Sequence, residues 1–198
     1  MRALLLLSTA LLAGCETLSY YGQAAGGQLA LMARAQPVGE VAASPALRRQ
    51  LELATAMRDF ASQALALPQN NAYRRYADLG RPYALWNVVA APEFSLKPVL
   101  SCFPVAGCVA YRGYYAKEGA ERHAKARREE GNDVIVYGVP AYSTLGWFAD
   151  PLLSTFVHYP EADLARLIFH ELAHQVAYVK DDSTFNESFA VVVEREGL

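Results

Sequence analysis

No sign of charge dominates this sequence: 18 lysines and arginines stand against 20 aspartates and glutamates, a net charge of −2. The basic footprint that nucleic-acid binding requires is therefore missing. The apolar stretch at the N-terminus is shorter than the roughly 20 residues a membrane-spanning helix needs. No internal repeat and no low-complexity tract interrupts the chain. Cysteines number three, too few for a disulfide-stapled miniature fold, and a chain of this length buries a sizeable core without staples. The 53% hydrophobic content is inflated by the first fourteen residues. What remains has the composition of an ordinary globular protein, one domain with an N-terminal extension.

That extension is a targeting segment, not part of the fold. Arg2 supplies a short positive region and Ala3 to Leu12 an apolar one. It ends in Leu12-Ala13-Gly14-Cys15, which resembles the bacterial lipobox. Cleavage before Cys15 divides the chain into a lipoprotein signal peptide, 1–14, and a domain, 15–198. The Cys15 thiol then accepts lipid, and several acyl chains give stable membrane anchoring where one would not. Glu16 follows, not the aspartate that resembles an inner-membrane retention signal, so the expected location is the periplasmic face of the outer membrane. The competing reading is a plain secretory signal with an incidental cysteine. Export also bears on Cys102 and Cys108, which have five residues between them in SCFPVAGC. In an oxidising compartment a local disulfide is the natural reading; a metal role or two buried thiols are the alternatives.

Along the domain, a loose start after Cys15 is expected to give way to an amphipathic helix over Tyr20 to Arg34. Ser44-Pro45 signals a helix start, with serine at the cap and proline in the first turn. Leu47, Leu51, Ala54, Met57 and Ala61 keep helical spacing after it. Asn70 to Tyr76 reads as a short helical piece. Tyr83 to Ala91, Phe94 to Leu100, Cys108 to Tyr115 and Val134 to Tyr142 are rich in aromatic and β-branched residues, as strands are. Ala116 to Glu130 is a charged surface helix in which His123 is solvated. Pro160, Glu161 and Asp163 open a helix running to about Lys180. A final helix starts near Thr184. Helices, a small sheet and helices again make an α+β pattern.

The strongest chemical signal is His170-Glu171-Leu172-Ala173-His174. Residues four apart share a helix face, so both imidazoles can reach one metal ion, and zinc suits them. Glu171 lies beside them, placed to take a proton from metal-bound water. Leu164, Leu167, Ile168, Leu172, Val176 and Val179 make the helix apolar over much of its circumference. Polar groups inside such a helix are costly unless paired or ligating.

Catalytic zinc usually keeps three protein ligands, and Glu187 in NESFA is the best third. It also fits a Thr184-x-x-Glu187 capping box, which would use the same carboxylate locally. Asp181, Asp182 and Glu194 are weaker ligands, or partners that orient a histidine ring. His158 reads as structural.

HELAHQ followed by NESFA resembles the gluzincin metallopeptidases, particularly the aminopeptidase N type, whose pattern is HELAHQ and then NEGFA. The resemblance implies one Zn2+ on His170, His174 and Glu187, with Glu171 as general base. The twelve residues between His174 and Glu187 are fewer than in that type. FPVAGCVAYRGYY, YSTLGWFADPLLST and FHELAHQ…FNESFA are similar to a bacterial family of predicted aminopeptidases, many of them lipoproteins. That likeness implies a zincin-like fold: a small mixed sheet, N-terminal helices, and a buried HExxH helix followed by a second helix. Members of that family look longer, so a continuation past Leu198 is expected.

The reaction implied is zinc-dependent hydrolysis of a peptide substrate. Its oxyanion needs a further donor, for which Tyr142 and Tyr178 are the candidates. Tyr142 to Phe148 reads either as an edge strand that pairs with an extended peptide or as a core-facing strand. Glu93 is a conceivable partner for a substrate amine. The alternative is a metal-binding envelope lipoprotein without catalysis, acting as a binding or structural module.

Overall fold

The computed structural model describes the backbone of residues 2–103 and 107–198, with side chains from Thr17 onward. Helix α1 (Arg2–Arg34) opens the chain. The loose start expected after Cys15 is therefore helical, and the helix continues through Gly26-Gly27. Gly27 has a packing reason: a Cβ there would lie 2.2 Å from the Tyr115 ring, so only glycine lets the helix lie flat on it. Helix α2 (Pro45–Gln63) begins as its sequence indicates, with the Ser44 hydroxyl accepting from the Leu47 N–H at 3.3 Å. Its Leu51, Ala54, Met57 and Ala61 are buried in the main core, together with Leu31, Tyr73, Phe156, Leu164 and Ile168. Burial of each large apolar side chain there contributes about 1.5–3 kcal/mol.

No helix forms over Asn70 to Tyr76. Tyr73 turns left-handed (φ 60°), its N–H donates to the Asp150 carbonyl at 2.6 Å, and the chain enters strand β2 (Arg75–Ala77). Strand β2 pairs antiparallel with β1 (Gln36–Pro37) and parallel with Leu152–Leu153 further on. The central sheet is built on β3 (Leu85–Pro92). Phe94 to Leu100 is not a strand: Phe94 also turns left-handed (φ 62°), and Phe94 and Leu96 lie in solvent. Next come a hairpin, β4 (Ser101–Phe103) and β5 (Gly107–Val109), and then β6 (Arg112–Tyr114). Helix α3 (Lys117–Glu129) leads to β7 (Asn132–Val139). Strands β6 and β7 flank β3, both antiparallel. One face of this sheet packs on α3, through Val88, Tyr114, Val134 and Val136 against Ala120 and Ala124. His123 is half-buried there, its ring 5.6 Å from Tyr114, and not simply solvated.

Strand β8 (Leu152–Leu153) closes the first sheet. Tyr142 to Phe148 forms no strand of either kind; it is an irregular loop folded around Asp150, whose carboxylate accepts from the Thr144 N–H at 2.8 Å. Helix α4 (Glu161–Ala173) and helix α5 (Ser183–Glu196) finish the chain. Helix α4 stops short of Lys180, its Gln175 and Val176 amides bonding back in a tightened turn, and this leaves Val176 and Val179 exposed. The class is α+β, with strands in three small sheets instead of one mixed sheet.

Arg58 on α2 is fully buried and organises the segment between α2 and β2. Its guanidinium donates to the carbonyls of Ala72 (2.9 Å), Pro68 (2.5 Å) and Asn70 (3.2 Å) and to the Ser62 hydroxyl (2.5 Å). Desolvation pulls its pKa down from the usual arginine value. Asn70 in turn donates from its side-chain amide to Gln175 at 2.7 Å, so this segment supports the end of α4. Arg58→Met is expected to lower unfolding stability by roughly 3 kcal/mol, because each stranded carbonyl costs roughly 1–3 kcal/mol. Urea titration of the variant against wild type checks it; a loss below about 1 kcal/mol would show that something else holds the segment.

Candidate metal centre

His174 is the C-cap of α4 and keeps right-handed helical geometry (φ −61°, ψ −19°), so the i, i+4 spacing survives the early end of the helix. The two imidazole centroids stand 4.9 Å apart. Helix α5 folds back across them. Its cap is Asp182, whose carboxylate accepts from the Phe185 N–H at 2.9 Å. Thr184 lies inside the helix, no capping box forms, and Glu187 is left to face α4. Its Oε2 is 3.2 Å from His170 Nε2 and its Oε1 3.7 Å from His174 Nε2. The ligand atoms of His170, His174 and Glu187 all lie within 4.8 Å of one another.

Three contacts hold α5 in that position. Asn186 is buried, and its side-chain amide bonds both the N–H and the carbonyl of Val179, at 2.7 and 2.8 Å. Asp181, left-handed at φ 66°, accepts from the Cys108 N–H at 2.6 Å. Cys108 is bonded to Cys102 in a disulfide across the β4–β5 hairpin. Gly107 (φ 75°) lets hairpin and turn meet: a Cβ there would stand 2.5 Å from the Asp181 carboxylate and 2.9 Å from the Asp181 nitrogen. Asp181 and Asp182 are thus engaged in holding the turn and the helix start, outside the ligand cluster.

Glu194, one helical stretch beyond Glu187, faces His170 Nδ1 at 3.0 Å. A ring that donates from Nδ1 would leave Nε2 to ligate an ion on the Glu187 side once its proton is displaced, the usual arrangement behind a ligating histidine. The electrostatics show what the site attracts. The His170 pKa is raised to about 9, chiefly by the hydrogen bond to Glu187, with Glu171 and Glu194 adding against the opposing effect of burial. Burial lowers His174, and the hydrogen bond to His170 lowers Glu187. Burial raises Glu171 to about 7; His170 opposes this, and Glu187 and Asp150 add to it. Two imidazole nitrogens and one carboxylate form the donor set of many catalytic zinc sites, and the convergence of both Nε2 atoms on one carboxylate fits such an ion.

These residues form one side of a cleft of about 570 Å³. The same cleft is lined by Leu85, Asn87, Gly113 and Val139 of the β6–β3–β7 sheet and by Tyr20 and Ala24 of α1. Tyr142 and Tyr178 both line it. The Tyr142 phenol, however, is bonded to Gln28 and lies 2.9 Å from the Tyr115 phenol. His158 is solvent-exposed and Glu93 stands in solvent at the end of β3; neither reaches the cleft.

Residues 19–198 match the sequence family described as "Putative aminopeptidase". The chain belongs to this family. Its name points to peptidase activity for the chain, and the match takes in every part of the cleft described above. No curated protein and no solved structure gives a significant match.

Residue patterns did not point to Asn87, Tyr20, Ala24 or Gln28. For Asn87 a signal was there: it is the single polar side chain inside the apolar run Leu85 to Ala91, where a polar group needs a reason. The α1 residues carry no such mark, because only the tertiary fold brings that helix to the cleft.

A proton and a metal ion would compete for His170 Nε2, and the Glu187 hydrogen bond raises the His170 pKa to about 9. Apparent zinc affinity is therefore expected to rise about tenfold per pH unit between roughly pH 6 and 8, measured by competition with a chromogenic chelator. The metal-free protein moves the other way: stability from the His170 contacts is full below the unfolded histidine value and is lost as pH rises through about 9. Glu194→Gln should weaken zinc binding about 10- to 100-fold, the usual effect of losing a carboxylate behind a ligating histidine. Unchanged affinity would remove Glu194 from the site.

Proposed function

We propose that this protein is a zinc-dependent peptidase of the aminopeptidase type, related in its site to the gluzincins and carried on the periplasmic face of the bacterial outer membrane by lipid on Cys15. The observation that carries the reading is the convergence of His170, His174 and Glu187 within 4.8 Å, with Glu171 beside them in the same cleft. His170, His174 and Glu187 would hold the ion. When bound, zinc supplies Lewis-acid chemistry, making water more acidic and polarising a substrate carbonyl.

The remaining work falls to the chain. Glu171 accepts a proton at its carboxylate from the attacking water and returns it to the departing amine nitrogen. A cation beside it favours the ionised carboxylate, the form that accepts the proton. Glu194 keeps the His170 ring turned toward Glu187. The sheet wall and α1 enclose the reacting groups and reduce their exposure to bulk water.

Among the described residues no helix is long and apolar enough to cross a membrane. Attachment through Cys15 rests on the Leu12 to Cys15 quartet and makes no demand for such a helix. A second reading, a metal-holding envelope lipoprotein without catalysis, draws support from the Tyr142 phenol, which is already bonded within the protein and so is not placed as an oxyanion donor.

Glu171→Gln separates the two. It is expected to keep one zinc per chain and to lower hydrolysis of a fluorogenic alanyl substrate by about 10²- to 10⁴-fold. Equal zinc content with no hydrolysis by the wild-type chain on any peptide would leave the binding-module reading in its place.

A further inference from the structure

On the sheet that lines the same cleft as the HELAH helix, Asn87 is 93% buried by its 7% exposure, and among the described residues its Oδ1 has no hydrogen-bond partner. A buried acceptor left without a donor costs roughly 1–3 kcal/mol. Asn87 is not an accident of a polar strand: its neighbours Leu85, Trp86, Val88 and Val89 are apolar. Its place is kept open by the strand beside it. In register with Asn87 on β6 stands Gly113, where a Cβ would come 3.3 Å from Asn87 Oδ1. The missing side chain leaves room for the Asn87 amide beside Gly113, and both residues line the cleft.

The chemistry of the cleft says what that amide can meet. Among the described residues its lining carries two carboxylates, Glu171 and Glu187, and no lysine or arginine. Both carboxylates are engaged by the histidines or by the proton transfer proposed for them. A substrate ammonium, which is best held by a carboxylate, therefore has no dedicated partner on the sheet wall. A neutral side-chain amide offers an acceptor and a donor side by side, which matches the N–H and C=O of a peptide unit.

The sheet also shows a path for such a chain. Strand residues two apart share a face, so Asn87 lies on the face with Val89 and, through register, with Ile135 and Tyr137 of β7. The opposite face is covered by α3. Among the described residues nothing covers Ile135 and Tyr137 on this face, which are 58% and 40% exposed. It runs out of the cleft as a strip of apolar and aromatic side chains, continuous with the site.

We propose that Asn87 is a substrate-binding residue. It pairs with a main-chain amide of an extended peptide that lies across the open face of the β6–β3–β7 sheet, with its side chains toward Tyr137 and Ile135. This rests on the peptidase reading for the occupant, but not on hydrolysis, because the contact is one of binding.

The test uses the full chain with Glu171→Gln, so that nothing is cleaved, and a short alanine peptide bearing fluorescein at its C-terminus, with its N-terminus free or acetylated. Fluorescence anisotropy measures affinity. Adding Asn87→Leu, which keeps volume and removes the amide, is expected to weaken both peptides about tenfold, the effect of losing about one net hydrogen bond. Thermal midpoint and zinc content should not fall, since no intramolecular partner is lost. Gly113→Ala, which crowds the amide without replacing it, should weaken both peptides in the same direction and covers the case in which Asn87→Leu does not fold. Wild-type affinity in Asn87→Leu overturns the assignment. So does a loss confined to the free-amine peptide, which would make Asn87 an ammonium contact. Hydrolysis by the chain with Glu171 intact is scored separately: absence of cleavage with Asn87-dependent binding defeats the catalytic reading alone, and cleavage with Asn87-independent binding defeats this inference alone.

Discussion

Glu187 faces two imidazoles across a helix–helix contact, and the site depends on that meeting. Each of the three groups prefers water when alone, and drawing them together on α4 and α5 removes part of that water. Mutual pairing compensates, and in doing so creates a site that collects positive charge. A proton does this on His170, held to about pH 9. A divalent cation satisfies both imidazoles and the carboxylate at once, which a single proton cannot.

The contact would be loose if α4 ended in an unsupported loop. Instead the irregular segment after His174 is braced from two sides. Asn70, itself positioned by the buried Arg58, bonds Gln175. The disulfide hairpin bonds Asp181 through the Cys108 N–H. Between these braces Asn186 takes both polar groups of Val179. Little of this is apolar packing. The end of the molecule that carries His170, His174 and Glu187 is fixed mainly by directional hydrogen bonds to backbone, which set angle as well as distance.

What was legible in the sequence is what is local. HELAH declares itself because four-residue spacing has one meaning on a helix, and Ser44-Pro45 and the two neighbouring cysteines are similarly self-contained. Glu187 had two local readings, and choosing between cap and ligand needed the position of α5, which Asp182 decides by taking the cap itself. The end of α4 was misplaced because Val176 and Val179 extend an apolar periodicity that the chain does not use; both are exposed. Phe94 to Leu100 has strand composition but follows Pro92-Glu93 into a left-handed turn at Phe94, and composition does not record φ. Tyr20, Ala24 and Asn87 belong to the cleft only because α1 and β3 are packed there from distant parts of the chain.

Gly107 has a consequence for how relatives of this chain are judged. The residue is neither a candidate ligand nor the candidate base and lies far in sequence from the histidines, yet it has no room for a single methyl group against the turn that leads into α5. A chain with alanine at this position would retain HELAH, NESFA and both cysteines, and would pass any inventory of ligands and base. Its turn would nevertheless be pushed outward, and Glu187 with it. Within such a family, a complete set of signature letters and an aligned site are separate properties, and the glycine in the disulfide hairpin is one place where they part.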